Sequence, residues 1–336
     1  MRTTDFARSL SSFLGSYLPG VRNVSVNTIH SYRDMFRLFL LFCLRELNTP
    51  PEKVTSNLLS DKTILLFLDW LEQERANSAA TRNQRLAAIH AFFRYLQFQE
   101  PSLLLHCQKI IGIPFKKYPK PQVQHLSPDA LKLLLQQPNT TLRQGRRDLA
   151  LIALLYDTGA RVQEIVDLRD RDVRIDQPSV VSLTGKGRKT RHVPLMSNTK
   201  AVIKTYMEES NLLNTHSSDI PLFINQQGNR MTRAGIAHIL RKYSLLAHRV
   251  SEIIPLRVTP HMLRHTKAMH LYQAGVNIIY IRDFLGHVDI SATEIYARAD
   301  TEMKRKAIEK VFPVIADTTL PEWNQDNDLL AWLNHL

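Results

Sequence analysis

The stretch Ile113-Pro-Phe-Lys-Lys-Tyr-Pro-Lys-Pro-Gln122 divides the chain into two parts with different sequence patterns. Its three prolines and three lysines predict a stiff, extended and basic connector. Directly after it, Ser127 and Pro128 suit the N-cap and first position of a helix. We therefore expect an N-terminal domain over 1–112, a linker over 113–124, a second domain over 125–320 and a tail over 321–336.

The part before the linker follows the spacing of amphipathic helices. Four or five short helices are predicted, and core packing accounts for their apolar and aromatic stripes. On one helix we assign Arg82, Arg85 and Arg94 to the face opposite the apolar stripe, where they are predicted to contact phosphates. The two clearest stripes are Ile29, Tyr32, Phe36, Phe39, Leu40 and Cys43, then Leu86, Ile89, Phe93 and Leu96.

The part after the linker mixes helices with a short hairpin. Residues 179–185 alternate like a strand, and the chain turns through "GKGRKTR" and returns as "HVPL". An apolar helix from Arg147 to Asp157 ends at Gly159. Further helices are predicted near 196–210, 232–247, 260–274, 277–285 and 291–312. The predicted fold is mainly α-helical with a small antiparallel β-sheet.

The composition favours a polyanionic partner. Lysine and arginine exceed aspartate and glutamate by 44 − 31 = 13, and the excess is spread along the chain rather than collected in a tail. The longest apolar run, Leu38 to Leu44, is too short to span a membrane, and the N-terminus lacks the apolar core of a secretory signal. Cys43 and Cys107 stand in apolar contexts without metal-ligand spacing. We expect a cytoplasmic protein.

Five pieces of the second part invite a common explanation. Taken singly, they read as a surface arginine, a polar turn residue, a polar helix face, a helix cap and a packing tyrosine. Together they supply every group needed to attack a phosphodiester. The residues are Arg161, Lys186, the pair His261 and Arg264, His287 after Gly286, and Tyr296.

Each residue type suits one requirement of that reaction. Two guanidinium forks stabilise the extra charge on the phosphate oxygens of the transition state. A histidine three residues before Arg264 shares its helix face and can exchange a proton. Lys186, in a hairpin turn, can protonate a departing 5′ oxygen. Tyr296 can act as a nucleophile whose ester retains the phosphodiester energy, so that resealing needs no ATP.

At these residues the sequence resembles the tyrosine recombinases, also called the phage integrase family, which include the bacterial Xer recombinases. The matching stretches are "TGARVQEI", "TGKGRKTRHVPL", "TPHMLRHTKAMHLYQAG" and "IIYIRDFLGHVDISATEIYARA", in the family's order and spacing. The stretch "TRNQRLAAIHAFFRYL" resembles the end of its helical core-binding domain. The resemblance covers about residues 20–312.

The resemblance implies a two-domain, C-shaped DNA clamp and a site-specific recombinase. Arg161, Lys186, His261, Arg264 and His287 match the family's catalytic positions, Tyr296 its nucleophile, and Glu164 an acidic position that holds neighbouring groups. The implied reaction forms a 3′-phosphotyrosyl link and a Holliday junction without metal or cofactor. Additional DNA contacts are predicted in the linker and hairpin, at Lys116, Lys117, Lys120, Arg188, Lys189 and Arg191.

The resemblance also implies partners. These are double-stranded recombination sites and further copies of the chain, from a monomer or dimer in solution to a tetramer in the synaptic complex. Accessory recombinases or DNA-bending proteins are compatible with it. The apolar cluster "NDLLAWLNHL" in the tail is expected to dock on a neighbouring protomer. His265 and His270 are interpreted as structural or phosphate-proximal, with His265 peripheral to the site.

Three alternatives stay open at this point. A metal-dependent nuclease could use His261 and His265, although no carboxylate pair completes such a site. A DNA-binding regulator without catalysis would explain the charge alone. The same chemistry could instead serve topoisomerase-like relaxation or hairpin telomere formation. Within recombination, about 25 residues before the first predicted helix are too few for an arm-binding domain. That leaves a Xer-like chromosome or plasmid dimer resolvase, or an integrase or transposase of a mobile element, which we favour.

Overall fold

The computed structural model of the chain describes residues 4–119, 123–185, 187, 189–213, 219–287, 289–299 and 333–334. The chain divides into two compact units, Met1–Pro121 and Gln122–Leu336. Helices dominate both, and the strands form one small antiparallel sheet in the second unit, so the predicted fold class is confirmed. Within the described residues, no helix combines the length and apolar character needed to cross a membrane.

The first unit is a helical bundle. Its α-helices are α1 (Asp5–Ser12), α2 (Val26–Glu46), α3 (Asp61–Gln73), α4 (Ala79–Gln99) and α5 (Leu104–Ile111), and a π-helical segment, Phe13–Val21, follows α1. Three of the helices begin in the same way. Ser25, Ser60 and Ser78 each accept a hydrogen bond from the backbone N–H three residues later, which satisfies a helix-end donor.

Aromatic side chains fill the core of the first unit. Phe92 of α4 contacts Phe6, Phe13 and Phe36 edge-on, with ring centroids 5.1 to 5.8 Å apart. The sequence did not predict the two helical segments before Ser25, yet they contribute Phe6 and Phe13 to this core. Residues 4–25 are therefore part of the helical bundle.

The second unit contains the predicted hairpin inside a helical frame. Its helices are α6 (Pro128–Leu135), α7 (Arg143–Thr158), α8 (Val162–Asp167), α9 (Ser197–Glu209), α10 (Arg233–Val250), α11 (Pro260–Gln273), α12 (Ile278–Leu285) and α13 (Ser291–Ala299). Ser127 caps α6 through the Ala130 N–H, with Pro128 at the first position, as predicted. The part of the last predicted helix beyond residue 299 lies outside the described residues.

The sheet runs in the order β1 (Val173–Arg174), β2 (Val180–Thr184) and β3 (Thr190–Pro194), all antiparallel. Strands β2 and β3 pair Val181 with Val193 and Leu183 with Arg191. Val181, Leu183 and Val193 are buried, so one face of the hairpin belongs to the core. Helix α7 packs against α9 and α11, and α11 in turn contacts α12 and α13. Helix α11 is thus central to the unit.

Candidate active site

Three arginines converge on the carboxyl end of α12. Arg191 Nε donates to the Phe284 carbonyl at 3.0 Å, Arg264 Nη2 to Leu285 at 2.7 Å, and Arg161 Nη2 to Gly286 at 3.1 Å. The last carbonyls of a helix lack partners within the helix and carry the negative end of its dipole. Three successive carbonyls therefore position guanidinium groups from β3, α11 and the N-cap of α8.

Glu164 joins two of these arginines. Its carboxylate accepts hydrogen bonds from the Arg161 backbone N–H at 2.9 Å and Nη1 at 3.0 Å, and from Arg191 Nη1 at 2.9 Å and Nη2 at 2.7 Å. Burial alone would raise the pKa of Glu164, but the hydrogen bonds and charge of Arg191, with those of Arg161, lower it overall. The group holds three guanidinium charges against one carboxylate and is net positive.

Two glycines in the left-handed conformation allow these approaches. Gly159 ends α7 with φ 57°, and its carbonyl accepts from Arg264 Nη1 at 2.7 Å. Gly286 ends α12 with φ 65°, and a Cβ there would lie 3.1 Å from Arg191 Nη1. A side chain at either position would combine backbone strain with a close contact.

Arg264 is buried, and no carboxylate of the described residues forms an ion pair with its guanidinium group. Both of its hydrogen-bond acceptors are neutral carbonyls, and only 4% of the residue is exposed. Burial lowers the pKa of Arg264 to about 10, and the charge of Arg161 acts in the same direction. The group stays protonated at neutral pH, so the site holds a partly desolvated charge that an anion would stabilise.

His287 follows the glycine that ends α12. Its backbone N–H donates to the Arg282 carbonyl, and its Nδ1 lies 2.8 Å from the buried Thr293 hydroxyl. Burial lowers the pKa of His287 to about 4, with the charges of Arg264 and Arg161 contributing. The imidazole is therefore neutral at pH 7. Its orientation is set by Thr293, at the start of the helix that carries Tyr296.

The Tyr296 hydroxyl is bound to His265. The phenol oxygen lies 2.9 Å from His265 Nδ1, and the two rings meet edge-on with centroids 5.7 Å apart. Tyr296 is 1% exposed and packs in a cluster with Ala268, Met269 and Leu285. Burial raises the pKa of Tyr296 to about 12, partly opposed by the charge of Arg264. His265, which was predicted to be peripheral to the site, therefore lies within hydrogen-bonding distance of the hydroxyl of the predicted nucleophile, Tyr296.

The other predicted site residues are placed as follows. His261 lies on an exposed position of α11, one turn before Arg264. Lys186, Arg188 and Lys120 lie outside the described residues. Exposed side chains at predicted DNA contacts are those of Arg94, Lys116, Lys117 and Lys189. Of these, the Lys116 ammonium lies 2.9 Å from a Glu72 carboxylate oxygen.

Three predicted DNA contacts are placed differently from the prediction. Arg82 is 7% exposed with its Nε 3.4 Å from Glu72, and Arg85 is half-buried with Nη1 near the Ser31 carbonyl. Arg82 precedes Leu86 by four residues and therefore lies on the same face as the apolar stripe rather than opposite to it. Arg191 is bound to Glu164 and the Phe284 carbonyl instead of projecting from the hairpin.

Sequence reasoning missed Arg191 and His265 as members of the site. Helical spacing correctly separates His265 from the His261–Arg264 face, but it gives no information on where Tyr296 packs. The strand pattern of β3 likewise gives no partner for Arg191. A signal did exist for both, because each lies inside a motif stretch that also carries a predicted catalytic residue.

Comparison with known proteins agrees with this architecture. Residues 124–303 match the phage integrase family, and residues 11–100 match the phage integrase N-terminal SAM-like domain. The chain is 35% identical over 328 residues to y4rC of Sinorhizobium fredii, described as an integrase/recombinase, with 97% of each chain covered. It is 32% identical to the tyrosine recombinase XerC of Oceanobacillus iheyensis, covering 88% of this chain and 93% of XerC.

Among solved structures, the fold is similar to that of the XerH site-specific recombinase bound to its difH substrate. The TM-score is 0.65 at 24% identity, with 90% of this chain and 85% of XerH covered. The chain belongs to the tyrosine recombinase, or phage integrase, family. It is accordingly an enzyme of site-specific DNA recombination. Among the residues that the structure describes, no cluster of three or more histidine, cysteine or acidic side chains is arranged to hold a metal ion.

Proposed function

We propose that the chain cuts and rejoins double-stranded DNA at specific sites through a covalent 3′-phosphotyrosyl link to Tyr296. One observation carries this assignment of roles. Arg161 and Arg264 are held by neutral helix-end carbonyls, and the single carboxylate of the group, Glu164, is shared with Arg191. The resulting positive charge is fixed in place before any phosphate arrives, which is what stabilises an anionic transition state.

The reaction assigns a task to each side chain. The Tyr296 oxygen attacks phosphorus, its bond to phosphorus forms, and the bond from phosphorus to the 5′ oxygen breaks. Arg161 and Arg264 bind the non-bridging oxygens. His261 and His287 donate hydrogen bonds to the same phosphate. Lys186, which lies outside the described residues, protonates the departing 5′ oxygen.

The reverse reaction completes an exchange. A 5′-hydroxyl from a partner duplex attacks the phosphotyrosine, which restores a phosphodiester and frees Tyr296. We propose that four protomers pair two duplexes and pass through a Holliday junction, in the cytoplasm and without a metal or other cofactor. We propose that the exposed side chains of Arg94, Lys117 and Lys189 contact the DNA backbone, since such contacts position a protein without reading sequence.

Covalent capture on unselected DNA tests this function and finds the target in the same experiment. The full chain is incubated with fragmented DNA of the bacterium that encodes it, in EDTA, and adducts that survive SDS are sequenced. The recovered junction then defines a duplex with a nick beside the cleavage point, from which the cut fragment diffuses away. We expect a stable adduct on this duplex with the wild-type chain and none with Tyr296→Phe.

Tyr156→Phe is the matched control. Tyr156 also pairs its hydroxyl with a histidine of α11, His270, at 3.0 Å. The control should form the adduct at close to the wild-type rate. An adduct that persists in Tyr296→Phe, or that requires a divalent metal, would refute the assignment.

We propose integration or transposition of a mobile element as the biological role. The similarity to the integrase/recombinase y4rC spans 97% of both chains, whereas that to XerC spans 88% of this chain. Captured sites at the two ends of one DNA element would support this role. A single captured site on the chromosome or on a plasmid would support a Xer-like resolvase instead.

We also propose that the tail, residues 321–336, docks on a neighbouring protomer. Apart from residues 333–334 it lies outside the described residues, so the proposal rests on its apolar sequence. Deleting it should weaken strand exchange between two duplexes more than adduct formation on one nicked duplex. Unchanged recombination after the deletion would contradict the proposal.

A further inference from the structure

Two partly buried histidine–tyrosine pairs lie along α11. His265 Nδ1 meets the Tyr296 hydroxyl at 2.9 Å, and His270 Nδ1 meets the Tyr156 hydroxyl at 3.0 Å. In both pairs the rings meet edge-on, at centroid distances of 5.7 and 5.9 Å. The two pairs differ in the groups that surround them. This difference indicates a structural role for His270 and a chemical role for His265.

The second nitrogen of His270 has a structural partner. Its Nε2 lies 3.0 Å from the Leu126 carbonyl, and the Leu126 N–H donates to the Thr266 hydroxyl of the same helix. His270 thereby fastens the segment before α6 to α11. If Nε2 carries the ring proton and donates it to this carbonyl, Nδ1 accepts the hydrogen bond of Tyr156.

His265 instead contacts the oxygen that the proposed reaction uses. We infer that His265 is a catalytic residue that holds the Tyr296 hydroxyl and accepts its proton as the tyrosine attacks the phosphodiester. This inference rests on the proposed function, since it concerns the same nucleophile.

The protonation states favour acceptance by the imidazole. Burial lowers the pKa of His265, and the charges of His261, Arg264 and His125 lower it further. The imidazole is thus neutral at pH 7, and with its proton on Nε2 it presents a bare Nδ1 to the phenol. The phenol, with a pKa raised to about 12, keeps its own proton until a base removes it.

Charged and titratable groups face His265 from four directions. His261 and Arg264 lie on α11 itself, His125 precedes α6, and Tyr296 lies on α13; His287 after α12 is also close enough to be affected by a charge on His265. The groups named here, all among the described residues, do not include a carboxylate. The phosphate in the transition state supplies negative charge that compensates the imidazolium formed during attack, which ties proton transfer to the presence of substrate.

The step balances in both directions. In cleavage, the bond from Tyr296 oxygen to phosphorus forms, the bond from phosphorus to the 5′ oxygen breaks, and the phenolic proton moves to His265 Nδ1. The 5′ oxygen receives its proton from a separate group. In resealing, the tyrosine oxygen leaves phosphorus and takes the proton back from the imidazolium.

The test separates proton acceptance from positioning. His265→Asn places an amide near the position of Nδ1 and can hold the hydroxyl without accepting its proton, whereas His265→Ala does neither. Both should form the adduct about 10²- to 10⁴-fold more slowly than the wild type, with unchanged DNA binding. His270→Asn, the matched control, should cleave within a few fold of wild type, and thermal melts verify that each variant is folded.

Two chemical probes show whether His265 acts on the attacking phenol or on the departing 5′ oxygen. Replacing the bridging 5′ oxygen by sulfur removes the need to protonate the leaving group, and it should not rescue His265→Asn. Replacing Tyr296 by a difluorotyrosine makes the phenol more acidic, and it should recover much of the lost rate. In the wild type, the cleavage rate should fall on the acid side as His265 becomes protonated, and this limb should be missing in His265→Asn.

Each other outcome overturns the inference. Wild-type cleavage by His265→Asn would reduce His265 to a positioning residue, and faster cleavage would make it a restraint on the tyrosine. Rescue by the sulfur substrate would place it on the leaving-group side. These results are distinct from failure of the proposed function, in which the wild-type chain forms no adduct or Tyr296→Phe still does.

Discussion

Two cations one turn apart on α11 have similar surroundings and different partners. Arg264 binds the neutral carbonyls of Gly159 and Leu285. Lys267 lies 3.1 Å from the carboxylate of Asp157 and sits over the Tyr156 ring. Both cations are largely buried, and both tie α11 to a neighbouring segment.

The difference lies in the charge of the partner. A carbonyl orients a guanidinium without cancelling its charge, so Arg264 remains able to bind an anion. A carboxylate neutralises Lys267, so that pair stabilises the fold and offers little to a substrate. Burial and hydrogen bonding alone therefore do not distinguish a functional cation from a structural one. The two are distinguished by whether an anionic partner within the protein neutralises the charge of the cation.

The largest expected effect comes from removing each cation in turn. Loss of Arg264 should mainly slow cleavage, whereas loss of Lys267 should mainly destabilise the fold. Arg264→Met should slow adduct formation by about 10³-fold, since it removes a fixed charge from the transition state. Its effect on folding should be modest, because no buried ion loses its partner. Lys267→Met leaves the Asp157 carboxylate buried without a cation and should lower the free energy of unfolding by about 3–5 kcal/mol.

Urea unfolding and the cleavage rate per folded molecule measure the two effects separately. The distinction between the two cations of α11 is broken if Lys267→Met slows cleavage as much as Arg264→Met does. It is also broken if Arg264→Met unfolds the chain under conditions in which Lys267→Met stays folded.

Much of this arrangement follows from local sequence. The Ser127 cap, the glycine that ends α7 and the hairpin between β2 and β3 each have short-range signals, and the structure has all three. The face shared by His261 and Arg264 is likewise a property of helix geometry. What spacing could not supply is which distant groups meet. Leu285 is 21 residues from Arg264, and Tyr296 is 31 residues from His265.

Arg191 shows the physical limit most clearly. Its place beside a basic hairpin turn predicts a solvent-exposed cation, although the alternation of β3 puts it on the same face as the buried Val193. Arg191 is largely covered because α12 ends beside that face, with Glu164 already present. Residues 184–195 do not reveal which groups cover it, whereas the membership of all these groups in family motifs indicated a common site.

The glycines after α11 and α12 differ in the same way, and a smaller effect is expected there. Gly275 and Gly286 both have positive φ, 82° and 65°. A Cβ at Gly275 meets open space, whereas one at Gly286 would meet the Arg191 side chain at 3.1–3.2 Å. Alanine at either position should cost about 1–2 kcal/mol of stability through backbone strain.

Only Gly286→Ala should also slow cleavage, by about tenfold to 10²-fold, because it displaces Arg191 and the adjoining His287. Thermal melts and adduct kinetics on the nicked duplex measure both quantities. Equal cleavage rates for the two alanine variants would mean that Arg191 can shift without disturbing Arg161 and Arg264.

The smallest effect concerns acid stability, in which the two tyrosine-paired histidines of α11, His265 and His270, should behave alike. Burial lowers the pKa of His265 and of His270 below the ordinary value of 6.5, and it lowers that of His287 to about 4. At these three positions, the unfolded chain binds more protons than the folded chain once the pH falls below about 6.5. The stability that the three neutral histidines contribute is therefore complete above that pH and declines towards pH 4.

His265→Asn and His270→Asn should each reduce the slope of this decline, as measured by urea unfolding between pH 7 and pH 4. In cleavage assays over the same range, only His265→Asn should change the pH profile. If the two substitutions alter cleavage in the same way, the two histidine–tyrosine pairs have one role, and both belong to the framework of α11 rather than to its chemistry.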